Sequence, residues 1–226
     1  MYDGFATKGH IGGNDASSGY GGPAVRALLA MAMFSEAKTV VDFGCGQGKL
    51  AELCLTQHPH LVWHGIDQSP QMVLRAQERL HRFGRRCKVE LLDGGSPAAV
   101  RVPAKAQRFV STYCLDLLSE ADMYGVLDAA ERCLAPDGLL LLSGITYGYR
   151  LSLRTFFMTL LWSLLYRLTR KTVGGYRPQL LGPYLRARGW RIVDHKTTLP
   201  DGFPWMASEV IAARPPTADG SLARSS

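Results

Sequence analysis

Short apolar runs alternate with helical patterns through most of the chain, and this alternation limits the possible folds more than any other feature. Helical patterns lie at residues 47–57, 70–83 and 120–135. The apolar runs lie at residues 39–44, 61–67, 87–93, 108–113 and 138–144. Because apolar runs without polar alternation are typical of strands buried on both faces, they predict a parallel sheet with helices on both sides.

The last third of the chain breaks this alternation. Residues 151–170 follow one long helical pattern, and a helix near 178–188 precedes strands at 190–195 and 207–213. No helical pattern separates these last two strands, so we expect a hairpin connection. The sequence therefore predicts that the sheet finishes with an antiparallel strand.

Length and composition favour one domain and a reducing compartment. The chain has 226 residues, of which 46% are hydrophobic, enough for one sizeable core. Its five widely spaced cysteines argue against a disulfide framework and a structural zinc site. The N-terminus lacks an apolar segment of signal-peptide length, which predicts a cytoplasmic protein. We expect a flexible arm over 1–22, the main domain over 23–213 and a disordered tail over 214–226.

The net charge of +7 raises the question of an anionic partner. However, the basic residues are scattered, which favours an ordinary excess of arginine over a nucleic-acid or anionic-membrane partner. The longest apolar run, residues 155–166, has 12 residues, fewer than the ~18 that a membrane-spanning helix needs.

A glycine turn follows the first predicted strand in "VVDFGCGQG", residues 40–48. Gly44, Gly46 and Gly48 let the backbone bend tightly and approach a ligand with no Cβ in the way. A dinucleotide turn needs its third glycine five positions after the first, where this chain has Lys49. Asp42 would repel a pyrophosphate, whereas a carboxylate suits a ligand with a sulfonium or ammonium group. The turn therefore favours S-adenosylmethionine.

Two more acids follow the next predicted strands. Asp67 lies 19 residues after Gly48, where a carboxylate can accept hydrogen bonds from both ribose hydroxyls. Asp93 can accept a hydrogen bond from the adenine amino group. Each acid alone can equally cap a helix. Acids at the ends of three successive strands, beside a glycine turn, are harder to explain in that way.

Four segments resemble the successive motifs of class I S-adenosylmethionine-dependent methyltransferases: "VVDFGCGQG", "GIDQSPQMV", "LLDGG" and "FVSTYCLDLL". The resemblance covers about 23–213 and is strongest to the methyltransferase-type-11 group, near the ubiquinone and menaquinone C-methyltransferases. It implies an α/β fold with a Rossmann-like seven-stranded sheet. That sheet is mostly parallel, has an antiparallel last strand and carries helices on both faces.

The resemblance also implies which residues contact S-adenosylmethionine. They are Asp42, Gly44, Cys45, Gly46 and Gly48 at the methionine part; Asp67 at the ribose; Gln68, Met72, Asp93 and Gly94 at the adenine; and Ser111 and Tyr113 beside the methionyl group. Since the arm before the first helix commonly folds over the cofactor in this family, His10 and Tyr20 are the candidate catalytic bases. A solvated or turn-stabilising histidine is the alternative for His10. No metal site is predicted.

Two features of the sequence bear on the acceptor: the fourth motif, "FVSTYCLDLL", and the insertion at about 147–177. Residues 111–114 lack the proline of methyltransferases that act on bases in DNA, so nucleic acid is not expected. The 151–170 helix has apolar residues at helical spacing: Leu153, Phe156, Phe157, Leu160, Leu161, Leu164, Leu165 and Leu168. This face either packs on the core or covers a hydrophobic small-molecule acceptor, such as a quinone-like or terpenoid-like compound. With its basic ends, the helix can also make peripheral membrane contact.

Arg177, after the insertion, can hold an anionic group of the acceptor or stabilise its own turn. The oligomeric state is left open. Two other functions compete with methyl transfer. One is a regulatory protein that binds S-adenosylmethionine without catalysis. The other, less favoured, is a nicotinamide-dependent oxidoreductase, for which the third glycine and a Tyr-x-x-x-Lys pair are missing.

Overall fold

The computed structural model describes residues 22–92, 94, 96–101, 105–147, 153–168, 178–199 and 207–216. The strands are β1 (Thr39–Phe43), β2 (Val62–Asp67), β3 (Cys87–Leu91), β4 (Ala106–Thr112), β5 (Leu134–Thr146), β6 (Arg191–Thr198) and β7 (Ala207–Arg214). The helices are α1 (Gly22–Ala32), α2 (Lys49–Gln57), α3 (Pro70–Leu80), α4 (Glu120–Cys133), α5 (Leu153–Leu168) and α6 (Leu181–Ala187).

The strands form one seven-stranded sheet in the order β3-β2-β1-β4-β5-β7-β6. Strands β1 to β5 pair in parallel, and β7 is antiparallel to both β5 and β6. The predicted fold class is therefore confirmed, including the hairpin between the last two strands. The strand order reverses between β1 and β4, which is where open α/β sheets form a ligand crevice at the carboxyl ends of the strands.

Two cores lie on opposite faces of the sheet, because successive side chains of a strand point to opposite sides. On one face, α1, α2 and α3 pack against strand residues such as Val40, Trp63 and Leu141. On the other, α4 and α6 pack against residues such as Phe109 and Leu140. Strands β1, β4 and β5 contribute to both cores, which explains their lack of polar alternation.

Several predicted boundaries were wrong, two of them at the C-terminal ends of helices. The helix predicted over 70–83 ends at Leu80 and gives way to a 3-10 segment, His81–Arg86, in which Gly84 has φ 54°. The helix predicted over 120–135 ends at Cys133, and β5 begins at Leu134 rather than at 138. Pro136 accounts for the second difference, since a proline disfavours helical conformation in the residue before it.

No helix in the described parts of the chain is long and apolar enough to cross a bilayer. All five cysteines carry free thiols. Helix α1 begins at Gly22, so the predicted arm up to residue 21 lies outside the described residues, as does the predicted tail from 217 onward.

Candidate functional site

The glycine turn joins β1 to α2 at the carboxyl edge of the sheet. Gly44, Gly46 and Gly48 have φ values of 74°, 55° and 75°, in the left-handed region that other residues rarely adopt. The N–H groups of Gly44 and Cys45 donate to the carbonyl of Ile66 at 2.8 and 3.1 Å. The turn is therefore fastened to the end of β2.

A second set of bonds closes the turn on itself and on Asp67. The N–H of Gly48 donates to the Cys45 carbonyl at 3.0 Å, and the N–H of Gly46 donates to Asp67 Oδ2 at 2.8 Å. Four N–H groups of the turn thus have partners within the protein. The turn does not cradle an anion in the manner of a phosphate-binding loop, where such groups point at the ligand.

The three glycines are required for different reasons. A Cβ on Gly44 would lie 2.5 Å from Cys114 Sγ, and one on Gly48 would lie 2.6 Å from Leu80 Cδ1. Both positions are therefore closed by packing. A Cβ on Gly46 would meet no atom within 4 Å. Open space therefore lies beside the backbone at Gly46, where a ligand can approach closely.

Asp67 ends β2 directly beside this space. Its side chain is 6% exposed, and its Oδ1 accepts the N–H of Ser69 at 2.9 Å while Oδ2 accepts that of Gly46. Asp67 therefore positions the turn and places its carboxylate beside the open space at Gly46.

Asp42 lies deeper on the same face of the sheet. It pairs in register with Gly65, two residues before Asp67, which places both carboxyl groups on one side. Asp42 is 1% exposed, its Oδ2 accepts the indole N–H of Trp63 at 3.3 Å, and its Oδ1 has no hydrogen-bond partner within the described residues. Burial, together with the nearby Asp67 charge, raises the pKa of Asp42 to about 7.

The adenine side of the predicted site begins at the N-terminus of α3. Ser69 caps this helix by accepting the N–H of Met72 at 3.4 Å. Gln68 is exposed and Met72 is half-buried, so both follow Asp67 at the rim of the crevice. Gly94 is exposed with φ 66°, whereas Asp93 lies outside the described residues.

Residues at the end of β4 are occupied by contacts with neighbouring strands. The Ser111 hydroxyl donates to the Phe43 carbonyl at 2.9 Å. The Tyr113 phenol shares a 2.9 Å hydrogen bond with Ser208 Oγ, and burial raises its pKa to about 12. Cys45, at the turn, is 8% exposed, and burial raises the pKa of its thiol. Tyr113 and Cys45 are therefore poorly suited to exchange protons.

Two hydrogen-bonding residues near the site, Trp63 and Asp116, were not identified from the sequence. Trp63 was treated only as part of an apolar run, although its indole N–H holds Asp42. Asp116 is fully buried after β4, and its Oδ2 accepts the Ile145 N–H at 2.9 Å, which ties this segment to β5. The acid within the apolar "CLDLL" segment was the available signal, since a buried carboxylate must have partners.

Four described histidines have partners elsewhere in the fold. His64 bonds to Glu90, His195 to Glu209, and His58 and His60 lie near Phe34. Across the described ranges, no cluster of His, Cys, Asp and Glu is suited to a metal ion. The predicted bases His10 and Tyr20, and Arg177, lie outside the described residues.

Comparison with known proteins agrees with this architecture. Residues 40–138 match the family model described as a methyltransferase domain. A trans-aconitate 2-methyltransferase of Acidovorax sp. (strain JS42) is 30% identical over 125 residues, which cover 52% of this chain and 42% of that protein. The chain spans less than half the length of the curated relatives that it matches.

Solved structures share the fold at low identity. An O-methyltransferase family protein from Burkholderia thailandensis has a TM-score of 0.65 at 19% identity, covering 87% of this chain and 56% of that one. The N-methyltransferase NodS of Bradyrhizobium japonicum WM9, in complex with S-adenosyl-L-homocysteine, has a TM-score of 0.63 at 16% identity, covering 85% of each chain. The resemblance to class I S-adenosylmethionine-dependent methyltransferases is confirmed. The narrower similarity to quinone C-methyltransferases stays a prediction.

Proposed function

We propose that this chain, which has the domain and fold of the class I S-adenosylmethionine-dependent methyltransferases, transfers a methyl group from that cofactor to a small lipophilic acceptor. The observation that carries the proposal is the open space at Gly46, which is bordered by the carboxylate of Asp67, with the buried carboxyl of Asp42 on the same side of the sheet as Asp67. Bare backbone beside two acids suits a nucleoside that carries positive charge.

The residues fit S-adenosylmethionine in three respects. The cofactor supplies a methyl group already activated by its sulfonium centre. The bare backbone at Gly46 accommodates the methionine part, and the carboxylate of Asp67, a hydrogen-bond acceptor beside it, suits a ribose hydroxyl. Since Asp42 is buried, its charge acts on the cation through the low-dielectric interior rather than by surface contact.

The same geometry disfavours a nicotinamide dinucleotide. A pyrophosphate needs free N–H donors at a helix N-terminus, but four N–H groups of this turn are already bonded within the protein. Two nearby carboxyl groups would also repel it. An oxidoreductase is therefore the weaker hypothesis.

The proposed acceptor rests on where the insertion begins. Strand β5 is parallel to β4, so its end at Thr146 reaches the same edge of the sheet as the glycine turn. Helix α5 follows after six residues and carries exposed apolar side chains, including Phe157, Leu161 and Leu164. Exposed apolar side chains on the helix that follows this strand end favour a hydrophobic acceptor. The trans-aconitate relatives make a tricarboxylate the alternative to test.

Calorimetry followed by a transfer assay tests the function. We expect S-adenosylhomocysteine to bind and NAD⁺ not to bind. Incubation with methyl-labelled cofactor should then label a hydrophobic quinol but not trans-aconitate. Labelling of trans-aconitate alone would overturn the lipophilic acceptor. Tight NAD⁺ binding without S-adenosylhomocysteine binding would overturn the methyltransferase itself. Cofactor binding without product on any acceptor would favour the regulatory alternative.

The contribution of α5 is tested by Leu161→Glu combined with Leu164→Glu. Because both side chains are exposed, the double variant should fold. We expect transfer to the hydrophobic quinol to fall about tenfold or more, since two apolar contacts are replaced by charges. S-adenosylhomocysteine affinity should stay unchanged. Transfer at the wild-type rate would remove α5 from the acceptor site.

A further inference from the structure

Helix α5 carries a large apolar surface that the rest of the described protein leaves uncovered. The exposed fractions of Leu153, Phe157 and Leu164 are 76%, 61% and 52%, and Leu160 and Leu161 are exposed as well. Within the described residues, α5 packs only lightly on other helices and strands. These five side chains therefore do not pack on the core, which was one of the two alternatives for this face in the sequence.

The five residues form one continuous stripe, here named the apolar face of α5. Their spacing of four, three, one and three residues places them on the same side of a helix. Phe156 and Ser163, which lie on another side, are half-buried. The helix therefore rests on the protein by that side and directs its apolar face outward. Solvent-exposed apolar patches of this kind mark interaction surfaces.

The excess positive charge of the chain lies in the stretch of sequence that contains this helix. Residues 138–193 contain nine of the 26 basic residues and none of the 19 acidic residues. The rest of the chain holds 17 basic and 19 acidic residues, so the whole net charge of +7 originates in this segment. Five of the nine lie in or within three residues of α5: Arg150, Arg154, Arg167, Arg170 and Lys171.

We propose that the apolar face of α5 docks on an anionic lipid surface. A partner must be apolar where it meets the face and negatively charged around it, and an acidic bilayer offers both at the headgroup boundary. The helix lies on the surface rather than across it, because 16 residues extend only about 24 Å, less than the ~30 Å hydrocarbon layer. Nucleic acid would match the charge but leave the apolar face exposed.

This inference goes beyond methyl transfer, and its test uses neither cofactor nor acceptor. The full-length protein is sedimented with vesicles of phosphatidylcholine alone or with about one-third phosphatidylglycerol. We expect about tenfold or more tighter binding to the anionic vesicles at low salt, because each basic residue near the surface contributes. Raising the salt to about 0.5 M should remove most of this difference by screening.

Serine substitutions separate the apolar contribution from the charge. The test variant combines Phe157→Ser, Leu161→Ser and Leu164→Ser. We expect its binding to anionic vesicles to fall about tenfold or more, because three apolar side chains no longer insert. Circular dichroism and thermal unfolding confirm that it folds. The matched control replaces three exposed apolar residues elsewhere, Met33, Val62 and Leu74, with serine and should bind like the wild type.

Four results would overturn the proposal. The first is equal binding to neutral and anionic vesicles, and the second is unchanged binding by the α5 variant. The third is a protein that does not bind vesicles but forms a concentration-dependent dimer in sedimentation analysis, with the dimer lost in the α5 variant. That result would assign the face to contact with a second copy of the chain. The fourth is RNA binding that the α5 variant retains and that displaces vesicles, which assigns the basic segment to nucleic acid.

Discussion

Replacing Asp42 with asparagine tests whether ionisation of this buried carboxyl group destabilises the folded protein. Burial raises the pKa of Asp42 from 3.8 to about 7 in the folded protein. Asparagine has nearly the same shape and retains an oxygen for the Trp63 indole N–H. The variant therefore removes the ionisation while keeping the packing.

The sign follows from proton linkage. Between pH 3.8 and about 7 the folded protein holds a proton on Asp42 that the unfolded chain has lost, so stability falls as pH rises through this range. Each pH unit within the range costs about 1.4 kcal/mol. From pH 5 to pH 8, Asp42 should therefore lower the free energy of unfolding by about 2–3 kcal/mol.

The assay is urea unfolding of the cofactor-free protein at pH 5 and pH 8, followed by circular dichroism. The informative quantity is the stability of Asp42→Asn minus that of the wild type, since other titrating groups cancel. We expect this difference to grow by about 2–3 kcal/mol in favour of the variant from pH 5 to pH 8. Glu78→Gln, which removes one exposed carboxylate, corrects for the change in net charge. A difference that is the same at both pH values would refute the argument.

Three further predictions concern the turn and β4. Wild-type affinity for S-adenosylmethionine should be up to about tenfold weaker at pH 6 than at pH 8 by calorimetry, because protonated Asp42 loses its attraction for the cation; Asp42→Asn should show little of this pH dependence. Gly46→Ala should weaken S-adenosylhomocysteine binding about tenfold or more. The control Gly84→Ala, at a glycine with nearly the same φ of 54° and equally open surroundings, should leave binding unchanged. Equal binding by both variants would contradict the assignment of the space at Gly46. Tyr113→Phe should lower the free energy of unfolding by about 1 kcal/mol through loss of the Ser208 hydrogen bond, with turnover unchanged; a large loss of turnover would make the phenol catalytic.

Much of the architecture could be predicted from local patterns. All seven strands were located in the sequence, and burial on both faces explains the apolar runs of the central strands, although not β3 and β6, which are partly exposed. The missing third glycine and the strand-end acids favoured a positively charged nucleoside over a dinucleotide. Prediction was poorer at boundaries, such as the one before Pro136, where a single residue outweighs the periodicity.

The sequence by itself determined the order of elements, the position of the glycine turn and the acids at the edge of the sheet, because these depend on residues close together in the chain. Only the tertiary structure decided what surrounds them. Cys114 and Leu80 close two of the glycines while Gly46 stays open, and the N–H groups of the turn are bonded within the protein. The partner of Tyr113 comes from 95 residues away. The periodicity of apolar residues indicates whether a side chain is buried or exposed on its own helix or strand, but not which distant atoms contact it. Those tertiary contacts decide which surfaces remain available to a ligand or a membrane.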